Sequence, residues 1–237
     1  IAPIVERLAS MDIDEAADRV LLGELNFFQG VLVFWQGRGE ECLKHMLDAR
    51  EEIPQEHPRM TGLIEIYVGL ARQMIGQEDT AMQELTEADL GVQSKRPEFL
   101  SRVALAQALM HTVSGELELA ALASQRVEKL SREIGIPYMI GWSHFLPACS
   151  AFRSNDLETA MTSFARVVER RYSTHTRAAI DSMAGLALTY QAMQRPDDAN
   201  ATTEQLLEFA LETGDSAHLA VARSAQARIS LAQGDIE

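Results

Sequence analysis

Small and apolar positions recur along this chain every 39 or 40 residues. Gly30, Gly69, Ala108, Ala148, Ala187 and Ala227 form one column. Twelve residues later Cys42, Ala81, Ala120, Ala160 and Ala199 form a second column on the same beat. Seven residues beyond that column stand Ala49, Ala88, Val127, Val167 and Leu206. Four residues beyond it stand Met46, Leu85 and Phe164, with Ser124 and Thr203 interrupting the series. Steps of four and seven keep side chains on one face of a helix, so each stretch reads as an amphipathic helix. A period of this length points to a repeat architecture rather than one conventional core.

Each repeat is expected to be two helices joined by a short turn. The turns are placed at 37–39, 76–77, 114–115, 154–155, 195–196 and 233–234, where Gly, Ser, Asn and Pro supply helix exits and starts. Acidic residues follow every turn, among them Glu40, Glu41, Glu78, Asp79, Asp156, Asp197 and Asp198. They sit where a helix dipole favours negative charge, and capping explains them better than metal binding. At the small column the two helices of a repeat are expected to approach closely. Flanking residues such as Phe27, Val31, Tyr67, Leu105 and Phe145 are expected to fill the seam between repeats. The fold expected is all-α: a right-handed α-solenoid of about five to six helix-turn-helix repeats. It forms a single domain over residues 1–237. The connectors at 51–59, 91–97, 135–137 and 172–176 are short, so no flexible linker is expected, and residues 1–13 read as a preceding helix or turn.

Composition narrows the partners. The chain has 21 basic and 35 acidic residues and a net charge of −14. Such a chain repels phosphate backbones and anionic membranes, so direct nucleic-acid or membrane binding by this segment is disfavoured. No apolar run has the length of a membrane span. Cys42 and Cys149 fall in different columns and read as small buried residues in a reducing, cytoplasmic setting. The start, Ile1-Ala2-Pro3, lacks both an initiator Met and a signal sequence. A sixth turn opens just before Glu237. Both ends predict a piece of a longer multidomain protein.

Catalytic chemistry has little to stand on. None of the six histidines pairs with another at metal-ligand spacing on one helix. No Gly-x-x-x-x-Gly-Lys-Ser/Thr loop occurs, and no Ser or Thr is marked as a nucleophile. No enzyme activity, cofactor or metal is expected. The candidate site is a groove lined by first helices. One register places Gln29, Arg72, Gln107, His111, His144 and Tyr190 there, with Asn26, Glu65, Arg223 and Gln226 on the same columns. A second register selects Glu24, Arg102, Trp142 and Asp181, with Phe34 and Phe152. The first would suit a sugar, a peptide or a small polar metabolite. In the second, Trp142, Phe145 and Phe152 would anchor a partner helix. The plainer alternatives are a solvated helix face for the first and core packing for the second.

The spacing of small residue, twelve positions, Ala, then seven positions resembles the tetratricopeptide repeat. These units are five or six residues longer than the usual 34, and most Trp and Pro signatures are missing. Within 155–237 the phrases Asn155-Asp156-Leu157-Glu158-Thr159-Ala160, Ala184-Gly185-Leu186-Ala187-Leu188 and Leu206-Leu207-Glu208-Phe209-Ala210-Leu211-Glu212-Thr213-Gly214 carry a further likeness. So does Ala227-Arg228-Ile229-Ser230-Leu231-Ala232-Gln233-Gly234-Asp235. They resemble the superhelical region of MalT-type activators, large LuxR-type, ATP-binding transcriptional regulators. That resemblance implies a sensor segment that holds a small-molecule inducer or a partner protein and helps control self-association. It also implies flanking ATP-binding and DNA-binding modules elsewhere in the parent chain. Two other readings stay open: a scaffold that docks peptides or partner helices, and an accessory domain of an enzyme.

Overall fold

The computed structural model describes residues 19–91 and 96–235. The helix or turn expected at 1–13, and part of the 91–97 connector, lie outside the described residues. Among the described residues there are eleven helices and no strand. They are α1 (Arg19–Trp35), α2 (Gly39–Glu52), α3 (Pro58–Met74), α4 (Glu78–Leu90), α5 (Pro97–Ser114), α6 (Leu117–Ile134), α7 (Pro137–Arg153), α8 (Leu157–Val168), α9 (Thr176–Ala192), α10 (Pro196–Thr213) and α11 (Ser216–Gln233). The chain is all-α and divides into two compact units, Ile1–Ser114 and Gly115–Glu237.

In the first unit each helix packs on the next from α1 to α5, and α3 also packs on α1 and α5. In the second unit the same order runs from α6 to α11, with α9 also packing on α7 and α11. A first helix therefore touches both its own partner and the first helix of the neighbouring repeat.

The two columns explain this closeness. Cys42, Ala81, Ala120, Ala160 and Ala199 are all buried, as are Gly30, Gly69, Ala108, Ala148 and Ala187. A Cβ built on Gly30 would lie 2.6 Å from the Met46 methyl and 3.2 Å from His45 Cβ. At Gly30 the backbone of α1 therefore lies directly against side chains of α2. Ala227 is the exception. It is exposed, and no second helix covers it among the described residues.

Ser124 and Thr203, which interrupt the apolar series, are nonetheless buried. Each hydroxyl donates to the carbonyl one turn back, at 2.7 Å to Ala120 and 2.8 Å to Ala199. A hydroxyl satisfied by its own helix can occupy a core position at little cost.

Polar rungs join successive first helices at equivalent positions. Gln73 Nε2 donates to Met110 O at 3.1 Å and to Ser114 Oγ at 3.0 Å, tying α3 to α5. Gln191, on the same column, accepts from Gln233 at 2.7 Å and ties α9 to α11.

The turns match expectation with one refinement. Gly37, Gly76, Gly115 and Gly234 hold positive φ, and Asn155 and Gln194 take that role where glycine is missing. The left-handed residue of the fifth turn is thus Gln194, one place ahead of the expected pair. The acids after the turns serve in more than one way. Asp156 caps α8 by accepting from the Thr159 N–H, while Glu41 and Asp198 pair with the N-cap residues Arg38 and Arg195.

Candidate functional site

In the first unit, the ends of α2 and α4 and the starts of α3 and α5 leave a cavity of about 290 Å³. Ile53 follows the last turn of α2 in extended conformation and is buried. Ile64 and Phe99 are buried too, and together the three give the cavity an apolar floor. Thr61, Glu65 and Arg50 supply its polar wall.

Arg50 belongs to the last turn of α2, where a cation complements the helix dipole. Its Nη2 donates to Glu65 Oε2 at 2.7 Å and lies 3.6 Å from Glu84 Oε2. Glu84 is clamped in turn by Arg72 through two hydrogen bonds, at 2.7 and 3.2 Å. Burial raises the Glu65 pKa, Arg50 opposes that rise, and Glu84 adds to it. Two guanidinium groups and two carboxylates are thus locked into one network across α2, α3 and α4. One group is left over: the Arg50 Nε is buried and has no hydrogen-bond partner. A buried donor without an acceptor is costly, and this one belongs to a residue that lines the cavity. The wall holds no histidine, thiol or activated hydroxyl. Thr61 already donates to His57 O at 3.1 Å.

The groove residues expected from sequence are spread over both units. In the first, Gln29 and Glu24 are half-buried on α1, and Gln107 and His111 are half-buried on α5. Arg72 reaches the Arg50 network through Glu84. Arg102 is 1% exposed, donates to Glu98 O, and packs its side chain against Gly62 of α3. In the second unit Trp142 meets the rings of Phe145 and His175 edge-on or tilted. Asp181 pairs with Arg177 at 2.7 Å, and Tyr190 lies under the Arg195 guanidinium at 4.5 Å. His144 lines a narrow crevice between α7 and α8. None of the ten primary groove residues lines the cavity beside Arg50. Arg50, Thr61 and Phe99 sit at helix ends or on a second helix, off the first-helix columns, so periodicity does not single them out. Glu65, on one of those columns, is the member that was legible.

Both cysteines are free thiols whose pKa burial pushes up to about 12, which leaves them unreactive near neutral pH. Among the described residues no group of histidine, cysteine or carboxylate side chains could hold a metal ion, and no helix is long and apolar enough to cross a membrane.

His175 makes the second unit sensitive to acid. As N-cap of α9 its Nδ1 accepts from the Arg177 N–H at 3.2 Å, which requires a neutral ring. Burial of the ring, then the charges of His218 and Arg177, hold its pKa below 6.5. Part of the ring remains in solvent, so the effect rests on the lost cap more than on burial. With the folded pKa below the unfolded one, the unfolded chain takes up protons first. The cap's contribution, about 1 kcal/mol, is therefore complete above pH 6.5 and is lost as pH falls through the folded value. His175→Asn keeps a capping oxygen that does not titrate. Melting curves across this range should show a shallower acid slope for the variant, and an unchanged slope would remove His175 as its source.

No protein-family model matches the chain, and none of the curated proteins compared with it is significantly similar in sequence.

Proposed function

We propose that this chain is a tetratricopeptide-like repeat domain that recognises a ligand without chemically changing it. The observation that carries the reading is the cavity beside Arg50, with an apolar floor and one buried, unsatisfied donor. Its volume suits a small molecule, and its lining suits one that is mostly apolar and bears a carbonyl, carboxylate or ether oxygen. Binding there would bridge α2, α3, α4 and α5 and favour one packing of the repeats over others. The likeness of residues 155–237 to MalT-type regulators supplies the setting: a sensing segment of a transcriptional regulator whose ATP-binding and DNA-binding modules lie elsewhere.

A thermal-shift screen of small carboxylic acids, lactones and sugars tests this reading. A ligand present at 100 times its Kd should stabilise the protein by roughly 2.7 kcal/mol. The gain should disappear in Arg50→Met, which removes the donor but keeps the apolar stem. A hit that stabilises Arg50→Met equally would place the site elsewhere. The second reading, a scaffold docking partner helices, is favoured by Leu119 and Leu122, which are exposed three residues apart on α6. A peptide pull-down that is lost in a Leu119→Ser, Leu122→Ser variant would support it.

A further inference from the structure

We infer that the crevice between α7 and α8 is a binding site for a phosphate-type oxyanion. The site lies in the second unit and is independent of the cavity beside Arg50.

Its first support is an imbalance of charge. Residues 126–177 carry eight basic and five acidic side chains, within a chain that has 21 basic and 35 acidic ones. Where a fold has a surplus of carboxylates, clustered cations are ordinarily paired with them. Arg132 follows that rule and donates twice to Glu128 Oε1, at 3.0 and 2.7 Å. Arg171 is also engaged, donating to Val168 O and lying over the Tyr172 ring. Arg166 and Arg170 do not follow it: neither makes an ion pair among the described residues. They stand one helical turn apart on the same side of α8 and its C-terminal extension.

The second support is the shape between them. Both arginines line the crevice with His144 and Thr174. The crevice measures about 40 Å³. That is room for roughly three water-sized spheres, so an oxyanion would seat part of its oxygens there with the rest in solvent, and a bulky organic ligand is shut out. Gly141 helps to shape it. A Cβ there would stand 1.7 Å from Thr174 Oγ1, so any larger residue would push the Thr174 side chain off α7. His144 Nε2 lies 4.0 Å from Glu128 Oε1, beyond hydrogen-bond range. Its ring makes no hydrogen bond to that carboxylate, which Arg132 already holds. Two forked guanidinium groups and an imidazole edge facing a small crevice match the donor geometry of a phosphoryl group. The head group is a phosphate, brought either by a small metabolite or by a phosphorylated side chain.

Calorimetric titration of the full chain with inorganic phosphate at fixed ionic strength is the test, with acetate as the comparison anion. Saturable phosphate binding is expected, weakened roughly tenfold to a hundredfold in the Arg166→Ala, Arg170→Ala variant, as the loss of charge-assisted hydrogen bonds implies. Arg223→Ala, on α11, should leave binding unchanged. The His144 ring resonances should move with the same midpoint. Repeating the titration with glycerol phosphate and with a phosphoserine pentapeptide shows which carrier brings the head group. Undetectable phosphate binding would overturn the inference. So would equal binding of acetate, an equal loss in Arg223→Ala, or binding that leaves the His144 resonances in place.

Discussion

Replacing Phe164 by Ala is expected to lower the unfolding free energy by about 3–5 kcal/mol. Phe164 sits four residues after the second column, on α8, and is 2% exposed. Its ring shares a cluster with Ala148, Ala160 and Leu186, drawn from α7, α8 and α9. It fills the space above Gly185, where a Cβ would come within 2.5 Å of the ring, and its centroid lies 6.1 Å from that of Phe145. Removing it leaves a cavity where three helices meet. Urea unfolding monitored by circular dichroism measures the change. A loss under about 1 kcal/mol would mean that the ring is not a core element, since large truncations in cores cost several times that.

The opposite error, overfilling, should be nearly as harmful at Ala187. This residue is fully buried and clusters with Ala199 of α10 and Ile229 of α11. Ala187→Leu adds three carbons at a point where helices α9, α10 and α11 meet, and is expected to cost about 1–3 kcal/mol. Ala227 provides an internal control from the same column. It is exposed, so Ala227→Leu should stay within about 0.5 kcal/mol of the parent. Equal effects at the two positions would break the link between column and close packing.

The period was legible because it is a steric requirement repeated at helix pairs within each unit. Gly30, Ala148, Ala160 and Ala199 are small residues at buried helix contacts, so they show through a diverged sequence. Hydropathy misread Ser124 and Thr203, whose hydroxyls are satisfied by their own helix and so behave as core. The fifth turn was displaced by one residue because Gln194, which has no turn signature of its own, takes the left-handed conformation. The division into two units left no mark on the columns, which run through both without a change of beat.

The site was harder to read for a physical reason. The cavity beside Arg50 is made by helix ends, and helix ends do not follow the repeat's face. Arg50 and Phe99 each look ordinary in sequence: one is a cation in a last turn, the other an apolar residue in a first turn. They meet only because α2 and α5 both flank α3. His144 lies on a first-helix column, but its arginine neighbours lie on and just after the second helix α8, off that column. Arg102 shows the reverse case. A charged residue on a candidate groove column turns out to be buried against Gly62, where its long stem packs and its head reaches Glu98 O.

Small side chains at a fixed beat let paired helices touch in register within each unit. A methyl NOESY spectrum of alanine-labelled protein reads those contacts. Cross-peaks are expected between Ala148 and Ala160 and between Ala187 and Ala199, the same contact one repeat apart. Missing cross-peaks at both pairs, or contacts that instead join Ala148 or Ala187 to residues outside their own repeat and its neighbours, would contradict that packing.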